Sequence, residues 1–65
     1  MPWNEQRYPK SMKRLLPRVR RKAIRIANAL LKEGYDEGRC IRIAISRARR
    51  WGSGQAGAAG SRAHP

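Results

Sequence analysis

The chain has 65 residues, which leaves room for one small domain with a modest core. One cysteine and one histidine exclude an internal disulfide and a zinc site, and indicate a reducing, cytoplasmic setting. Lys and Arg number 16 against 4 Asp and Glu, which gives a net charge of +12. These like charges repel one another within the fold and attract polyanions.

The sequence contains no apolar run near the ~20 residues that a membrane-spanning helix needs. Its first five residues also lack the basic start and apolar stretch of a secretory signal. We therefore expect no transmembrane segment and a cytoplasmic location.

Residues 1–8 contain proline and no apolar period, so they are predicted to be extended. Trp3 and Tyr8 are their only large apolar groups. Packing over the helices as part of the core is the expected role of both rings, and stacking on nucleic-acid bases is the alternative.

A short first helix is predicted over residues 9–15. Pro9 suits the first position of a helix, where its missing N–H costs nothing. Met12, Leu15 and Leu16 follow at helical spacing. Pro17 ends this helix, because the residue before a proline is disfavoured in the α region, and the same proline opens the next helix.

The second helix is predicted over residues 17–33, with Gly34 as its C-terminal cap. At about 100° per residue, a wide apolar stripe falls on one side and a row of cations on the other. The stripe consists of Val19, Ala23, Ile26, Ala27 and Leu30, widened by Ile24 and Leu31. The cations are Arg18, Arg21, Lys22, Arg25 and Lys32.

The third helix is predicted over residues 37–51, with Asp36 as N-cap, Glu37 at its positive start and Gly52 past its end. Its inner face is predicted to be Cys40, Ile41, Ala44, Ala48 and Trp51, and its outer face Arg39, Arg42, Ser46, Arg49 and Arg50. The Gly/Ala/Ser-rich residues 52–65, which include His64, have little to bury and are predicted to be a disordered tail.

The pattern as a whole predicts an all-α fold with a single helical domain over residues 1–51. A small three-helix domain is expected, in which the short first helix and the Trp3 segment close over an antiparallel helical hairpin. The oligomeric state is left open.

Catalytic chemistry is not expected. The four acids lie at Glu5 and at the joint between the two longer helices, which holds Glu33, Asp36 and Glu37. The cysteine lies on an apolar helix face, where a thiol is usually inert packing. We predict no enzyme activity, no catalytic residue, no cofactor and no metal.

Nucleic acid is the expected partner, bound without base specificity through phosphates. Arg grips phosphate with a planar fork, and both longer helices carry nearly pure cationic faces. The residues predicted to make the contacts are Arg18, Arg21, Lys22, Arg25, Arg39, Arg42, Arg49 and Arg50. Phosphate contacts of this kind carry no sequence information, and the choice between DNA and RNA is left open.

Three alternatives stay open. A sequence-reading helix-turn-helix would lead with Arg39 and Arg42, although Leu30 and Glu33 do not fit its turn. The chain is also suited to a protein-interaction or regulatory role, with an acidic partner or with a helix in an apolar groove. Its basic amphipathic helices are suited, finally, to the surface of an anionic membrane.

The chain resembles the N-terminal module of small bacterial proteins of the YdaT type. The matching residues are Met1-Pro2-Trp3, Tyr8-Pro9, Ser11, Lys13, Leu15, Arg20, Lys22-Ala23-Ile24, Ile26-Ala27-Asn28-Ala29, Glu33-Gly34-Tyr35-Asp36-Glu37-Gly38-Arg39, Ile41, Ile43-Ala44, Ser46, Ala48 and Trp51. A fainter likeness to ChaB, a cation-transport regulator by name, uses Pro9, Ser11, Lys13, Leu16-Pro17 and Asn28. The resemblance implies a helical module and supplies no catalytic residue.

This chain departs from the YdaT pattern in two ways. Cys40 stands where that pattern usually has alanine, and the chain is more basic. Proteins of that type usually continue into an acidic linker and a second domain, whereas a Gly/Ala tail follows here.

Overall fold

A computed structural model describes residues 2–60, with side chains described as far as residue 54. It contains a 3-10 helix, Lys10–Met12, and two α-helices, α1 (Pro17–Lys32) and α2 (Glu37–Gly60). Residues 2–60 form no strand, so the prediction of an all-α fold is confirmed.

The C-terminus of α1 is closed by a glycine cap. Gly34 has a φ of 107°, a conformation that costs glycine little because it has no Cβ. The N–H of Gly34 donates to the carbonyl of Leu31 at 3.0 Å, and that of Tyr35 to the carbonyl of Leu30 at 3.2 Å. This pair of bonds is the Schellman motif, and it satisfies carbonyls that the helix end leaves open.

The N-terminus of α2 is capped by Asp36, as predicted. Its carboxylate accepts a hydrogen bond from the N–H of Arg39 at 3.1 Å, and its carbonyl accepts the first helical bond, from Cys40, at 3.0 Å. Two caps this close in sequence leave only residues 33–36 outside the helices, so the chain reverses and α2 packs antiparallel against α1.

Small side chains line the contact between the two helices. Ala23 and Ala27 of α1 are fully buried, as are Cys40, Ala44 and Ala48 of α2. Larger groups fill the space around them: Met12, Leu15, Ile24 and Leu30 are buried, and Val19, Ile26, Leu31 and Ile41 pack at the edge. The predicted inner faces are therefore confirmed except at Trp51, which is half-buried and not part of this core.

The predicted first helix over residues 9–15 is wrong in extent, because only Lys10–Met12 is helical. In an α-helix the carbonyl of Lys13 would accept from the N–H of residue 17, which is proline and has none. The side chain of Arg20 donates hydrogen bonds to the carbonyls of this turn instead. Its Nη2 donates to the carbonyls of Lys13 at 3.1 Å and Leu15 at 2.8 Å, and its Nε to that of Met12 at 3.1 Å.

The rings of the N-terminal segment are fastened to α1. Trp3 and Tyr8 are half-buried and pack against the core, as expected. The side-chain amide of Asn28 donates to the carbonyl of Trp3 at 3.0 Å and accepts from its N–H at 3.3 Å. The guanidinium of Arg20 lies 4.7 Å from the centre of the Tyr8 ring. Together these contacts hold the segment against one flank of α1.

The predicted end of the last helix at Gly52 is wrong, since α2 continues through Gly52 to Gly60. Gly52 lies inside the helix and against α1, where a Cβ would stand 2.8 Å from Cγ2 of Val19. This glycine therefore allows close helix packing and does not cap the helix. Residues 61–65 of the predicted tail, including His64, lie outside the described residues.

Candidate nucleic-acid interface

The eight predicted contact residues all lie on α1 and α2. Seven of their side chains are exposed and Lys22 is half-buried. Helical spacing explains the pattern, because each position falls outside the buried stripe of its own helix.

Almost none of this charge is neutralised within the fold. In residues 2–60 the structure shows one ion pair, between Nε of Arg21 and Oε2 of Glu5 at 3.8 Å. Both side chains are more than half exposed, and such a pair contributes little to stability. The other seven predicted cations have no carboxylate within 4.0 Å in this part of the chain.

The cations do not form one flat patch. Arg25 is two residues from both Ala23 and Ala27, and a separation of two residues rotates a side chain by about 200°. Arg42 is likewise two residues from Ala44. Because those alanines are buried between the helices, Arg25 and Arg42 point to opposite sides of the hairpin. A straight polyanion therefore meets only part of the set at once.

On one flank of the hairpin, two cations of α1 lie beside Trp51 of α2. The half-buried indole has Nζ of Lys22 at 5.3 Å and Cζ of Arg18 at 6.0 Å from its ring centroid. Exposed Arg47 lies four residues before Trp51, which places it one turn away on the same helix face. We call these four residues, Arg18, Lys22, Arg47 and Trp51, the Trp51 surface.

The sequence prediction placed Trp51 on the inner face and gave Arg47 no role. The spacing of four residues between them was visible in the sequence. The approach of Arg18 and Lys22 was not, because it depends on the register of α1 against α2.

Arg21 and Arg25 lie beside the N-terminal segment, where both line a hollow with Trp3, Asn4 and Glu5. Arg25 borders an open groove of about 600 Å³, and the lining of this groove is mostly apolar. The lining residues are Pro2, Arg25, Asn28, Ala29, Leu31 and Lys32. An apolar groove with two cations at its edge suits a ligand that combines alkyl groups with carboxylate or phosphate.

Cys40 is fully buried on the inner face of α2. Burial raises the pKa of its thiol, and the nearby carboxylates of Asp36 and Glu37 raise that pKa further. The Sγ lies 3.5 Å from the carbonyl of Tyr35, to which the thiol donates. The thiol is therefore neutral at physiological pH and serves as packing.

Over the described residues no group of three or more His, Cys, Asp or Glu is arranged to hold a metal ion. Neither α1 nor the described part of α2 combines the length and apolar character that crossing a bilayer requires.

Comparison with known proteins gives one informative relation. Over 51 residues, or 78% of this chain, the sequence is 57% identical to the uncharacterised protein YdaT of Bacillus subtilis (strain 168). The chain spans about a third of the length of that relative, 34%. No family model matches, so the fainter likeness to ChaB is not shown, and no solved structure gives a significant match. The predicted resemblance to YdaT is confirmed, and this chain is a relative of YdaT over about four fifths of its length.

Proposed function

We propose that this chain binds nucleic acid through the phosphate backbone with little dependence on base sequence. The observation that carries the proposal is the lack of internal neutralisation. Seven of the eight predicted contact residues have no carboxylate partner in residues 2–60, on a chain of net charge +12. Unpaired arginines along a helix provide the electrostatic footprint of a phosphate-binding surface.

The arrangement of the cations limits how many act together. Because Arg25 and Arg42 point to opposite sides, one duplex is expected to meet about half of the set. Each neutralised phosphate contributes about −0.9 to the slope of log K against log salt. With about four contacts we expect a slope of about −4.

The test is a titration of labelled duplex DNA and duplex RNA by fluorescence anisotropy at about 50 mM and about 200 mM salt. Binding that weakens with salt at the expected slope, with similar affinity for unrelated sequences, supports the proposal. Absence of binding at the lower salt concentration, or binding indifferent to salt, contradicts it.

A matched pair of variants locates the contacts. Replacing Arg18 and Arg25 with Gln removes two charges from the proposed surface and is expected to lower affinity and flatten the salt slope by about 2. Lys10 and Arg14 are exposed residues that precede α1. Replacing both with Gln removes the same charge and is expected to lower affinity much less. Equal losses from both pairs would show that net charge alone attracts the polyanion.

The groove beside Arg25 favours a second candidate, docking of an acidic segment of another protein. Its apolar lining and the flanking cations Arg25 and Lys32 match a chain that carries both alkyl and carboxylate groups. If this candidate is right, the immobilised chain captures a specific acidic protein even after nuclease treatment. The Ala29→Arg variant, which fills the groove from an exposed helix position, would then release that partner.

A further inference from the structure

We propose that the Trp51 surface is a binding site for single-stranded nucleic acid, in which an unpaired base stacks on the indole and the neighbouring cations hold phosphates. This inference rests on the proposed function and names the form of nucleic acid that the chain prefers.

The position of Trp51 is the first observation. An indole in the helix–helix contact would normally be covered by apolar side chains. This one is half-buried, and two of its neighbours are the cations Arg18 and Lys22 from the facing helix. Both cations lie over the ring, within the ~6 Å of the centroid at which a cation is attracted to an aromatic face. A base that stacks on this face takes the place of the cations, which then turn to the phosphates of the same strand.

The chemistry of the surrounding groups is the second observation. Arg18, Lys22 and Arg47 have no ion pair within the described residues, so their charge is available to a ligand. Bases stack on aromatic rings and on guanidinium planes, and such stacking tolerates any base because each base has a π-face. The Trp51 surface combines an indole with a guanidinium 6.0 Å from the ring centroid, so it contains both kinds of stacking partner.

This surface distinguishes single strands from duplexes. In a duplex each base is already stacked between its neighbours, and exposing it costs a few kcal/mol. An unpaired base pays no such cost. Trp51 is therefore expected to add to the affinity for single strands and to leave duplex binding, which uses phosphates alone, nearly unchanged.

The test compares the full chain with its Trp51→Leu variant, which keeps the charge and an apolar group at the helix contact. Labelled oligo(dT) and a mixed-sequence duplex are titrated in the same buffer. The variant is expected to lose roughly 5- to 150-fold in affinity for oligo(dT), the range for one stacked base, and less than about twofold for the duplex. Equal losses on both ligands, or no loss on either, would overturn the inference.

A second measurement does not depend on how well that variant folds. In a Trp3→Phe background Trp51 is the remaining tryptophan, and the bonds of residue 3 to Asn28 involve only its backbone. Oligo(dT) is expected to quench the fluorescence of Trp51, and the duplex is expected to leave it unchanged. Binding of oligo(dT) without quenching would refute the stacking.

The two proposals fail in different ways. If the wild-type chain binds neither oligo(dT) nor the duplex at low salt, the proposed function itself is wrong. If it binds both with the same salt slope and Trp51→Leu changes neither, the phosphate-binding function stands and only the Trp51 site is withdrawn.

Discussion

Gly52 and Val19 lie so close that a Cβ on the glycine would stand 2.8 Å from Cγ2 of the valine. The methyl group cannot move far, because Val19 packs against the core. We expect Gly52→Ala to lower the free energy of unfolding by about 1–3 kcal/mol, the usual cost of overpacking. Urea denaturation of the purified variant measures the change.

Gly54 provides the matched control, since it lies two residues further along the same helix and a Cβ added there would meet nothing within 4 Å. There Gly54→Ala is expected to raise stability by about 0.5–1 kcal/mol, the ordinary helix preference of alanine. Equal stabilisation of Gly52→Ala and Gly54→Ala would contradict the close approach of Gly52 to Val19.

Arg20 is expected to matter for stability more than any of the eight predicted contact residues. Its guanidinium donates to three carbonyls, and lysine cannot reproduce this forked geometry. Arg20→Lys is expected to cost about 1.5–3 kcal/mol in thermal or urea unfolding. Arg21→Lys, at an exposed ion pair, should stay within about 0.5 kcal/mol of wild type. Equal losses of stability in Arg20→Lys and Arg21→Lys would show that the three hydrogen bonds of Arg20 do not stabilise the fold.

The buried thiol of Cys40 predicts a loss of stability in alkaline solution. Because its pKa is raised in the folded state, the unfolded chain loses this proton first as the pH rises. The contribution is fully present below the ordinary thiol pKa of 9.0 and is lost as the pH climbs through the higher folded value. Denaturation of wild type and Cys40→Ala between about pH 7.5 and 9.5 compares the two slopes. Parallel curves would contradict the raised pKa.

Added salt is expected to stabilise the fold. Like charges on both helices repel each other, and salt screens that repulsion. The melting temperature should rise between about 20 mM and about 300 mM NaCl. The rise should be smaller after Arg42→Gln and Arg49→Gln, which remove two exposed charges. A fall in melting temperature for the wild-type chain would contradict the account.

The joint between the helices could be predicted because its signals are local. The glycine at position 34 and the acid at position 36 act through bonds to residues within five positions in the chain. Such motifs depend on backbone conformation and hardly on the rest of the fold. The inner faces of α1 and α2 could be predicted for the same reason, because the periodicity of apolar residues along one helix is also a local signal.

The two wrong boundaries depend on distant contacts. Gly52 looks like a helix terminator until the close approach of Val19 explains it, and that approach depends on how the two helices pack. The short first helix is replaced by a turn whose carbonyls bond to Arg20, five to eight residues away. Neither contact has a signature in the local sequence.

The candidate interface was predictable in its composition and only partly in its layout. Periodicity placed the cations outside, and the structure places them there. Periodicity does not tell which flank of α1 lies beside which flank of α2. The meeting of Arg18 and Lys22 with Trp51 is therefore visible only in three dimensions.

The capped joint has a consequence for how the molecule approaches a charged partner. Three of the four acids lie at this joint, whereas Arg18, Arg49 and Arg50 lie about 20 Å from it along the helices, at about 1.5 Å per residue. The chain thus carries a permanent dipole moment along its long axis in addition to its net charge. The field of a polyanion exerts a torque on this dipole, which turns the acidic joint away from the polyanion and the Trp51 surface towards it before any contact is made.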